Sequence, residues 1–209
     1  MDLVVKIKEF FKGEVTVSDS DLEKYSRDAS LFKVKPQVVV FPKDADDIKN
    51  LVGFVSKNKK QYSELSLTAR SGGTDMTGGP LSESIVIDVS KYINQLKDIG
   101  VDYAVVEPGM FYRDFEKETL KKNLLMPSYP ASREICTVGG MAANNSGGEK
   151  TLSYGKAIDY IKELKVILRD GHEYSFGPLA ESKLEVKKNQ TDLEGEIYNK
   201  ISNLITANF

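Results

Sequence analysis

The sequence predicts an α+β protein in which two small α/β subdomains follow a helical N-terminal segment. Short β-branched runs alternate with segments whose apolar residues recur at helical spacing. Two glycine-rich stretches each follow a predicted strand or extended segment. A chain of 209 residues is long enough for one large domain or two small ones. The predicted boundaries are residues 1–35 for the N-terminal segment, 36–91 for the first subdomain and 92–209 for the second.

The first subdomain begins with a predicted strand, a helix and a second strand. Residues 37–41 are mostly β-branched, and Pro42 closes the run. Asp44 can cap the following helix, because its carboxylate can accept a hydrogen bond from a free N–H group of the first turn. Residues 65–69 and 85–89 are predicted strands on either side of the first glycine-rich stretch. This order of elements predicts a small α/β unit.

The second subdomain begins with a predicted strand at 103–107 and a helix at about 111–122. A proline-bearing loop at 124–132 comes next. The second glycine-rich stretch, 137–148, is also predicted as a loop.

The last part of the chain is predicted as a hairpin followed by a helix. Residues 161–169 alternate as a strand does, and Asp170-Gly171 is a two-residue turn signal before a short strand at 173–176. Residues 193–209 place apolar side chains on one helical face. That face has no partner among the predicted elements, which indicates a piece of a longer protein.

Composition excludes several classes of function. The chain carries 29 basic and 31 acidic side chains, so it lacks the excess of positive charge that is typical of nucleic-acid-binding proteins. The single cysteine, Cys136, excludes a disulfide framework, and the single histidine, His172, makes a metal cluster or a Ser/His/Asp triad hard to build. We expect a buried thiol at Cys136 and an exposed turn residue at His172. These absences favour chemistry carried by a bound cofactor, and no metal is predicted.

No transmembrane segment is predicted, because no run of about 18 apolar residues occurs in the chain. Residues 1–11 mix charged with apolar side chains, unlike a secretory signal. A cytoplasmic protein is the expectation, and peripheral membrane association of a longer protein stays open.

The first glycine-rich stretch, 70–79, has the features of an anion-binding loop. Its four glycines permit positive φ angles or close backbone approach. Successive N–H groups in such a loop form a concave nest that suits a phosphate. The hydroxyls of Ser71, Thr74 and Thr77 add donors, and Arg70 adds charge. The spacing provides neither the G-x-G-x-x-G of Rossmann folds nor the Gly-Lys-Ser/Thr of a Walker loop, so a simple NAD or ATP motif is excluded.

The second glycine-rich stretch suits a flat ligand that lies against the backbone, since its residues are small throughout. Asn144, Asn145 and Ser146 supply polar groups for the carbonyl and ring-nitrogen edges of such a ligand. A tight surface turn is the alternative for either stretch alone. The presence of two such stretches favours a ligand site.

Several motifs occur in a fixed order along the chain. They are Phe41-Pro42, Arg70 to Gly79, Glu107-Pro108-Gly109, Pro127 to Ser132, Thr137 to Gly148, and Tyr154 to Gly171. In this order they resemble the PCMH-type FAD-binding domain shared by the vanillyl-alcohol oxidase and p-cresol methylhydroxylase superfamily, over roughly residues 36–179. The branch they resemble most contains the D-lactate, glycolate and D-2-hydroxyglutarate dehydrogenases.

The resemblance implies a fold in which two α/β subdomains sandwich an extended FAD. At the diphosphate it places Gly72, Gly73, Thr74 and Asp75, with Thr77 and Gly78 close by. The charge of Arg70 and the hydroxyl of Ser71 assign these two residues to the same cofactor site. Along the flavin and the ribityl chain it places Pro130, Ala131, Ser132, Thr137, Gly139, Gly140, Asn144, Ser146 and Gly147. Some relatives attach FAD through a histidine in the first stretch. Thr74 stands at that position, so FAD is predicted to bind non-covalently.

The resemblance also implies the FAD-binding part of an oxidoreductase that oxidises a 2-hydroxy acid of the D-lactate or glycolate type by hydride transfer to the flavin. In that branch the substrate histidines and arginines lie in a C-terminal cap domain, and this chain is expected to end before it. No catalytic residue is therefore predicted, and the small-molecule substrate is assigned mainly to a missing domain or partner subunit. A non-catalytic FAD-binding subunit of a split oxidoreductase, a relative of sugar-lactone oxidases or alkyl-glycerone-phosphate synthases, and a domain that has lost FAD stay open.

Overall fold

The computed structural model describes residues 3–208. The chain divides into two compact units, one ending at Ile161 and the other beginning at Lys162. Helices and sheets are mixed along the chain, which confirms the α+β class. The predicted segment boundaries after residues 35 and 91 stay predictions.

The N-terminal segment contains a strand as well as helices. Its elements are α1 (Leu3–Lys8), β1 (Glu14–Thr16) and α2 (Asp19–Tyr25). The prediction of a helical segment over residues 1–35 is therefore wrong at β1, which pairs antiparallel with the next strand of the chain. A strand of 3 residues is too short to show its period in the sequence, and it forms because the neighbouring strand supplies backbone partners. Ser18 caps α2, since its side chain accepts a hydrogen bond from Asp21 N.

A four-stranded sheet lies at the centre of the first unit. After β1 the chain forms β2 (Val38–Phe41), α3 (Ala45–Asn58), β3 (Leu67–Arg70) and β4 (Ile85–Asp88). The strand order is β1-β2-β4-β3, and β4 runs parallel to both of its neighbours. The carboxyl ends of these three parallel strands therefore share one edge of the sheet. Asp44 caps α3 as predicted, accepting a hydrogen bond from Asp47 N.

Both faces of this sheet are covered, which explains the unbroken Val and Ile runs of β2 and β4. On one face a core cluster that includes Val38 and Ile85 also contains residues of α1 and α3. On the other face Val39 belongs to a cluster with Leu22 and Tyr25 of α2. Helix α2 thereby packs directly on β2 and β4.

The rest of the first unit contains a β-hairpin and short helices. The elements are β5 (Leu96–Ile99), β6 (Ala104–Val106), α4 (Tyr112–Leu120), α5 (Val138–Ala143), α6 (Thr151–Tyr154) and a 3-10 helix (Ala157–Tyr160). Strand β5, which pairs antiparallel with β6, was not predicted. The prediction of a loop over 137–148 is wrong at α5. Each glycine lowers helix propensity by about 1 kcal/mol, and the cap at Thr137 together with tertiary packing overrides that preference.

The described part of the second unit, residues 162–208, is a hairpin followed by two helices. Its elements are β7 (Leu164–Ile167), β8 (Glu173–Phe176), α7 (Glu181–Lys188) and α8 (Leu193–Asn208). The predicted hairpin and C-terminal helix are confirmed, whereas α7 was not predicted. Phe209, the last residue of the predicted helix, lies outside the described residues.

The turn of this hairpin differs from the predicted two-residue form. Leu168 N donates to His172 O at 3.0 Å, and Gly171 N donates to Leu168 O at 2.9 Å. Gly171 has a φ of 80°. This pattern is a three-residue loop in which a turn is followed by a left-handed glycine. His172 is exposed, as predicted.

Within residues 3–208, no helix combines the length and the apolar character needed to cross a membrane.

Candidate functional site

The two glycine-rich segments meet at the carboxyl end of β3. Arg70 is the last residue of β3, and the first glycine-rich loop, 71–79, follows it. The Thr137 hydroxyl donates to the Ser71 hydroxyl at 2.6 Å. A Cβ atom placed on Gly72 would lie only 2.3 Å from the carbonyl oxygen of Ile135, so this approach requires glycine. The structure therefore brings together the segments that the sequence predicted to share one ligand.

The Asp75 carboxylate holds residues 75–79 of the first loop together by hydrogen bonds. Its Oδ2 accepts hydrogen bonds from Thr77 Oγ1 at 2.6 Å, from Thr77 N at 3.1 Å and from Gly79 N at 2.8 Å. These bonds, the one from the Thr77 hydroxyl above all, hold the pKa of Asp75 below its usual value. The N–H groups of residues 77 and 79 are thus directed at a protein carboxylate. The role of Asp75, Thr77 and Gly78 at a diphosphate stays a prediction.

The N-terminal segment also contacts this loop, a contribution that sequence reasoning missed. Ala29 N donates to the Asp75 carbonyl at 3.1 Å. The Phe32 ring lies 3.0 Å from the position a Cβ atom would take on Gly78. Residues 26–34 look like an ordinary polar connection in sequence, so only the folded structure reveals this contact.

The Arg70 guanidinium lies against Gly73, in the part of the first loop that follows β3. A Cβ atom on Gly73 would lie 2.4 Å from Arg70 Nη2, and Gly73 has a φ of 64°, which favours glycine. Arg70 Nη1 is buried and has no hydrogen-bond partner among the residues that the structure describes. Burial lowers the pKa of Arg70 from its usual value, while electrostatic interactions with Tyr25, Asp88 and Asp28 act in the opposite direction.

The second segment is held beside the first by its own backbone contacts. Thr137 Oγ1 accepts a hydrogen bond from Gly140 N at 3.2 Å and so caps α5. Gly139 N donates to the Pro108 carbonyl at 2.9 Å. A Cβ atom on Gly140 would lie 3.2 Å from Ser71 Oγ. Thr137 and Gly140 therefore both lie next to Ser71.

Residues 130–136 form consecutive turns that lead into Thr137. Arg133 N donates to the Pro130 carbonyl at 3.0 Å, and Cys136 N donates to the Ser132 carbonyl at 2.8 Å. Ala131 is exposed and Ser132 half-buried. Cys136 is 4% exposed, which confirms the predicted buried thiol, and burial raises its pKa.

The remaining predicted residues follow α5 and contact other elements. Asn144 ends α5 and is exposed. Ser146 is buried, and its carbonyl accepts a hydrogen bond from Ala157 N at 2.9 Å. Gly147 lies against Thr151 of α6. These contacts are with α5, α6 and the 3-10 helix rather than with the first loop, and the predicted contacts of these residues with a flavin stay predictions.

Comparison with known proteins decides the family. Residues 36–177, more than half of the chain, match a family described as FAD binding domain. The chain belongs to the FAD binding domain family.

This FAD-binding domain is similar to longer enzymes. It is 27% identical over 190 residues to a D-2-hydroxyglutarate dehydrogenase of Pseudomonas putida, a match that covers 90% of this chain and 19% of the relative. It is 31% identical over 151 residues to glycolate oxidase subunit GlcD of Bacillus subtilis, covering 70% of this chain and 31% of that subunit. The chain therefore spans less than a third of the length of either relative.

The fold of the FAD-binding domain recurs in solved structures. A structure of alkyldihydroxyacetonephosphate synthase superposes with a TM-score of 0.71 at 20% identity, over 84% of this chain and 34% of that one. This similarity confirms the predicted PCMH-type fold.

The residues of the two glycine-rich segments fit a diphosphate-bearing cofactor. An FAD diphosphate needs clustered donors and positive charge. Arg70 Nη1 is a buried cationic donor without a partner in the described part of the chain. Gly72 and Gly73 present bare backbone at positions where a side chain would collide with Ile135 or Arg70. Both observations suit the diphosphate of FAD.

Proposed function

We propose that this chain is the FAD-binding part of a flavin-dependent oxidoreductase that oxidises a small 2-hydroxy acid of the D-lactate, glycolate or D-2-hydroxyglutarate type. The observation that carries the proposal concerns Arg70 Nη1, which has no partner within residues 3–208. It lies beside a glycine loop that a hydrogen bond joins to the second glycine-rich segment. The names of similar proteins, D-2-hydroxyglutarate dehydrogenase and glycolate oxidase subunit GlcD, support the substrate class.

The chain's part in the reaction is to hold and orient the cofactor. Arg70 would neutralise charge on the diphosphate, and the backbone and hydroxyls of residues 71–74 would donate to its oxygens. Asp75 would keep the loop in shape through its bonds to Thr77 and Gly79. Bound FAD would supply a two-electron acceptor for the hydride of the substrate carbon.

The second segment would extend the site along the cofactor. Gly140 lies next to Ser71, and Gly139 precedes it against Pro108. The flavin and ribityl chain would run past Pro130, Ala131, Ser132, Thr137, Gly139, Gly140, Asn144, Ser146 and Gly147. Substrate recognition is assigned to a further domain or a partner subunit.

FAD would be held without a covalent bond. The side chain at position 74 is a threonine hydroxyl, which is a weak nucleophile at neutral pH. The thiol of Cys136 is buried with a raised pKa, so little of it is the reactive thiolate. His172 lies in the exposed hairpin turn of the second unit.

Loading the full chain with FAD tests the proposal. After gel filtration, the wild-type chain should carry a flavin absorption spectrum, and acid precipitation should release the colour into the supernatant. Colour in the pellet would refute non-covalent binding. Absence of flavin from the wild-type chain would count against an FAD site within these residues.

A variant pair tests the role of Arg70. Arg70→Met should weaken FAD binding by about tenfold or more, because it removes a charged donor, and should flatten the dependence of the dissociation constant on salt. Arg27→Met removes an exposed arginine of the same unit and should bind FAD as the wild type does. Equal affinities and salt dependences for the two variants would contradict the assignment of Arg70.

A further inference from the structure

Tyr25 connects the N-terminal segment to the strands that carry the glycine loop. It is the last residue of α2 and is 3% exposed. Its hydroxyl donates to Asp88 Oδ2 at 2.5 Å, across 63 positions of the chain. Tyr25 lies outside residues 36–177, which match the FAD binding domain family.

Two acids, Asp88 and Asp28, interact electrostatically with Arg70, and Asp88 is the one on the neighbouring strand. Arg70 and Asp88 are register partners at the carboxyl ends of β3 and β4. In a parallel pair, side chains at matching positions project from the same face of the sheet. A buried carboxylate beside a guanidinium normally forms an ion pair with it.

Neutral donors already occupy both oxygens of Asp88. Ser90 N and Ser90 Oγ each donate to Asp88 Oδ1 at 2.7 Å. The Tyr25 hydroxyl takes Oδ2. Asp88 is therefore satisfied without Arg70.

The Tyr25 ring also stacks against the Arg70 guanidinium. The Arg70 Cζ atom lies over this ring, 5.2 Å from its centroid, a cation–π arrangement. From there Arg70 Nη2 reaches Gly73, and Nη1 keeps no partner among residues 3–208. The cation therefore faces the loop instead of the acid on the neighbouring strand.

We propose that Tyr25 is a positioning residue that keeps the Arg70 guanidinium against Gly73 by occupying the Asp88 carboxylate and by stacking under the cation. Without the Tyr25 hydroxyl, Asp88 Oδ2 becomes a buried acceptor without its donor, and Arg70 is the cation on the matching position of β3. Arg70 then swings to Asp88, and the loop loses both its support and its charge. The consequence for FAD affinity rests on the proposed function, whereas the consequence for the loop does not.

A double-mutant cycle tests the proposal in the full chain. The four proteins are the wild type, Tyr25→Phe, Asp88→Asn and the double variant. Amide hydrogen exchange of the peptide that covers residues 71–79 is measured without ligand, and the FAD dissociation constant is measured by flavin fluorescence. Tyr25→Phe should exchange about tenfold faster in this peptide and bind FAD about tenfold more weakly. The double variant should return close to the wild type in both measurements, because the competing carboxylate is gone.

Tyr112→Phe is the matched control. Tyr112 is also fully buried in the first unit, and its hydroxyl donates to the Met126 carbonyl at 2.6 Å. This variant loses a buried tyrosine hydroxyl but leaves Arg70 and Asp88 alone, so the peptide 71–79 should exchange as in the wild type.

Rescue by Asp88→Asn separates positioning from general stability. If Tyr25 only supported the fold, the double variant would be at least as impaired as Tyr25→Phe, and that result would overturn the proposal. Unchanged exchange of residues 71–79 in Tyr25→Phe would also overturn it. If the wild-type chain bound no FAD, the proposed function would fail while hydrogen exchange still decided the role of Tyr25.

Discussion

The Thr137 hydroxyl donates to the Ser71 hydroxyl at 2.6 Å, joining two glycine-rich segments that are 66 positions apart in the chain. The same Thr137 oxygen accepts a hydrogen bond from Gly140 N and caps α5. One side chain therefore both starts a helix and connects it to the first loop.

Replacing Thr137 should reveal this double role in the free energy of unfolding. Thr137→Val keeps the shape but loses the cap and the bond to Ser71, and should destabilise the protein by about 1–2 kcal/mol. Thr137→Ser keeps the hydroxyl and should lie within about 0.5 kcal/mol of the wild type. Urea unfolding followed by circular dichroism measures both values. Equal stability of the two variants would show that the hydroxyl does not carry these bonds.

A glutamate at position 73 should abolish FAD binding. Gly73 has a φ of 64° and lies against the Arg70 guanidinium, so a side chain there is strained and brings a negative charge to the proposed diphosphate site. Gly53→Glu is the matched control, because a Cβ atom on Gly53 meets nothing within 4 Å among the described residues. Isothermal titration with FAD compares the two. Near-native FAD affinity in Gly73→Glu would contradict the assignment of the first loop to the FAD site.

The carboxylate of Asp75 should titrate at unusually low pH. Its folded-state pKa lies below the unfolded value of about 3.9, so its contribution to loop stability is present above that value and is lost as the pH falls through the folded pKa. Carboxyl carbon NMR measures the midpoint directly. Thr77→Val removes the strongest donor and should raise the pKa of Asp75.

Asp44 serves as an internal reference in the same spectra. Its pKa is lowered chiefly by the Asp47 N–H group at the cap of α3, which Thr77→Val does not touch. A shift of both aspartates in this variant, or of neither, would contradict the proposed contact between Thr77 and Asp75.

Cys136 should resist thiol reagents in the folded protein. Its side chain is buried, and burial raises its pKa, so access and thiolate content are both low. The chain has one cysteine, so the reaction with a colorimetric disulfide reagent reports on this residue alone. Labelling in native buffer should be about a hundredfold slower than in denaturing urea. Similar rates would mean that residues 130–136 open readily.

Local sequence signals predicted the elements that depend on local chemistry. Asp44 caps α3 because a carboxylate accepts from N–H groups of the next turn wherever the chain is helical. The Asp170-Gly171 signal found the hairpin, although the loop has one residue more than predicted. The family was recognisable because the order of its loop motifs survives in the linear sequence.

Elements that depend on distant partners were missed or mistaken. Strand β1 forms because β2 offers its edge, and β5 forms because β6 pairs with it. Helix α5 contains Gly139 and Gly140, which favour a loop when taken locally. The bonds that hold it to Pro108 and Ser71 come from elsewhere in the chain.

The sequence by itself determined the α+β class, the two glycine-rich segments and the membership of an FAD-binding family, because these follow from residue types and their spacing. Only the tertiary structure decided how the first segment is held. Arg70 faces Gly73 because Tyr25 and Ser90 occupy Asp88, and these five residues come from three separate stretches of the chain, at 25, 70–73 and 88–90. Their hydrogen bonds exist only once α2, β3 and β4 have packed together.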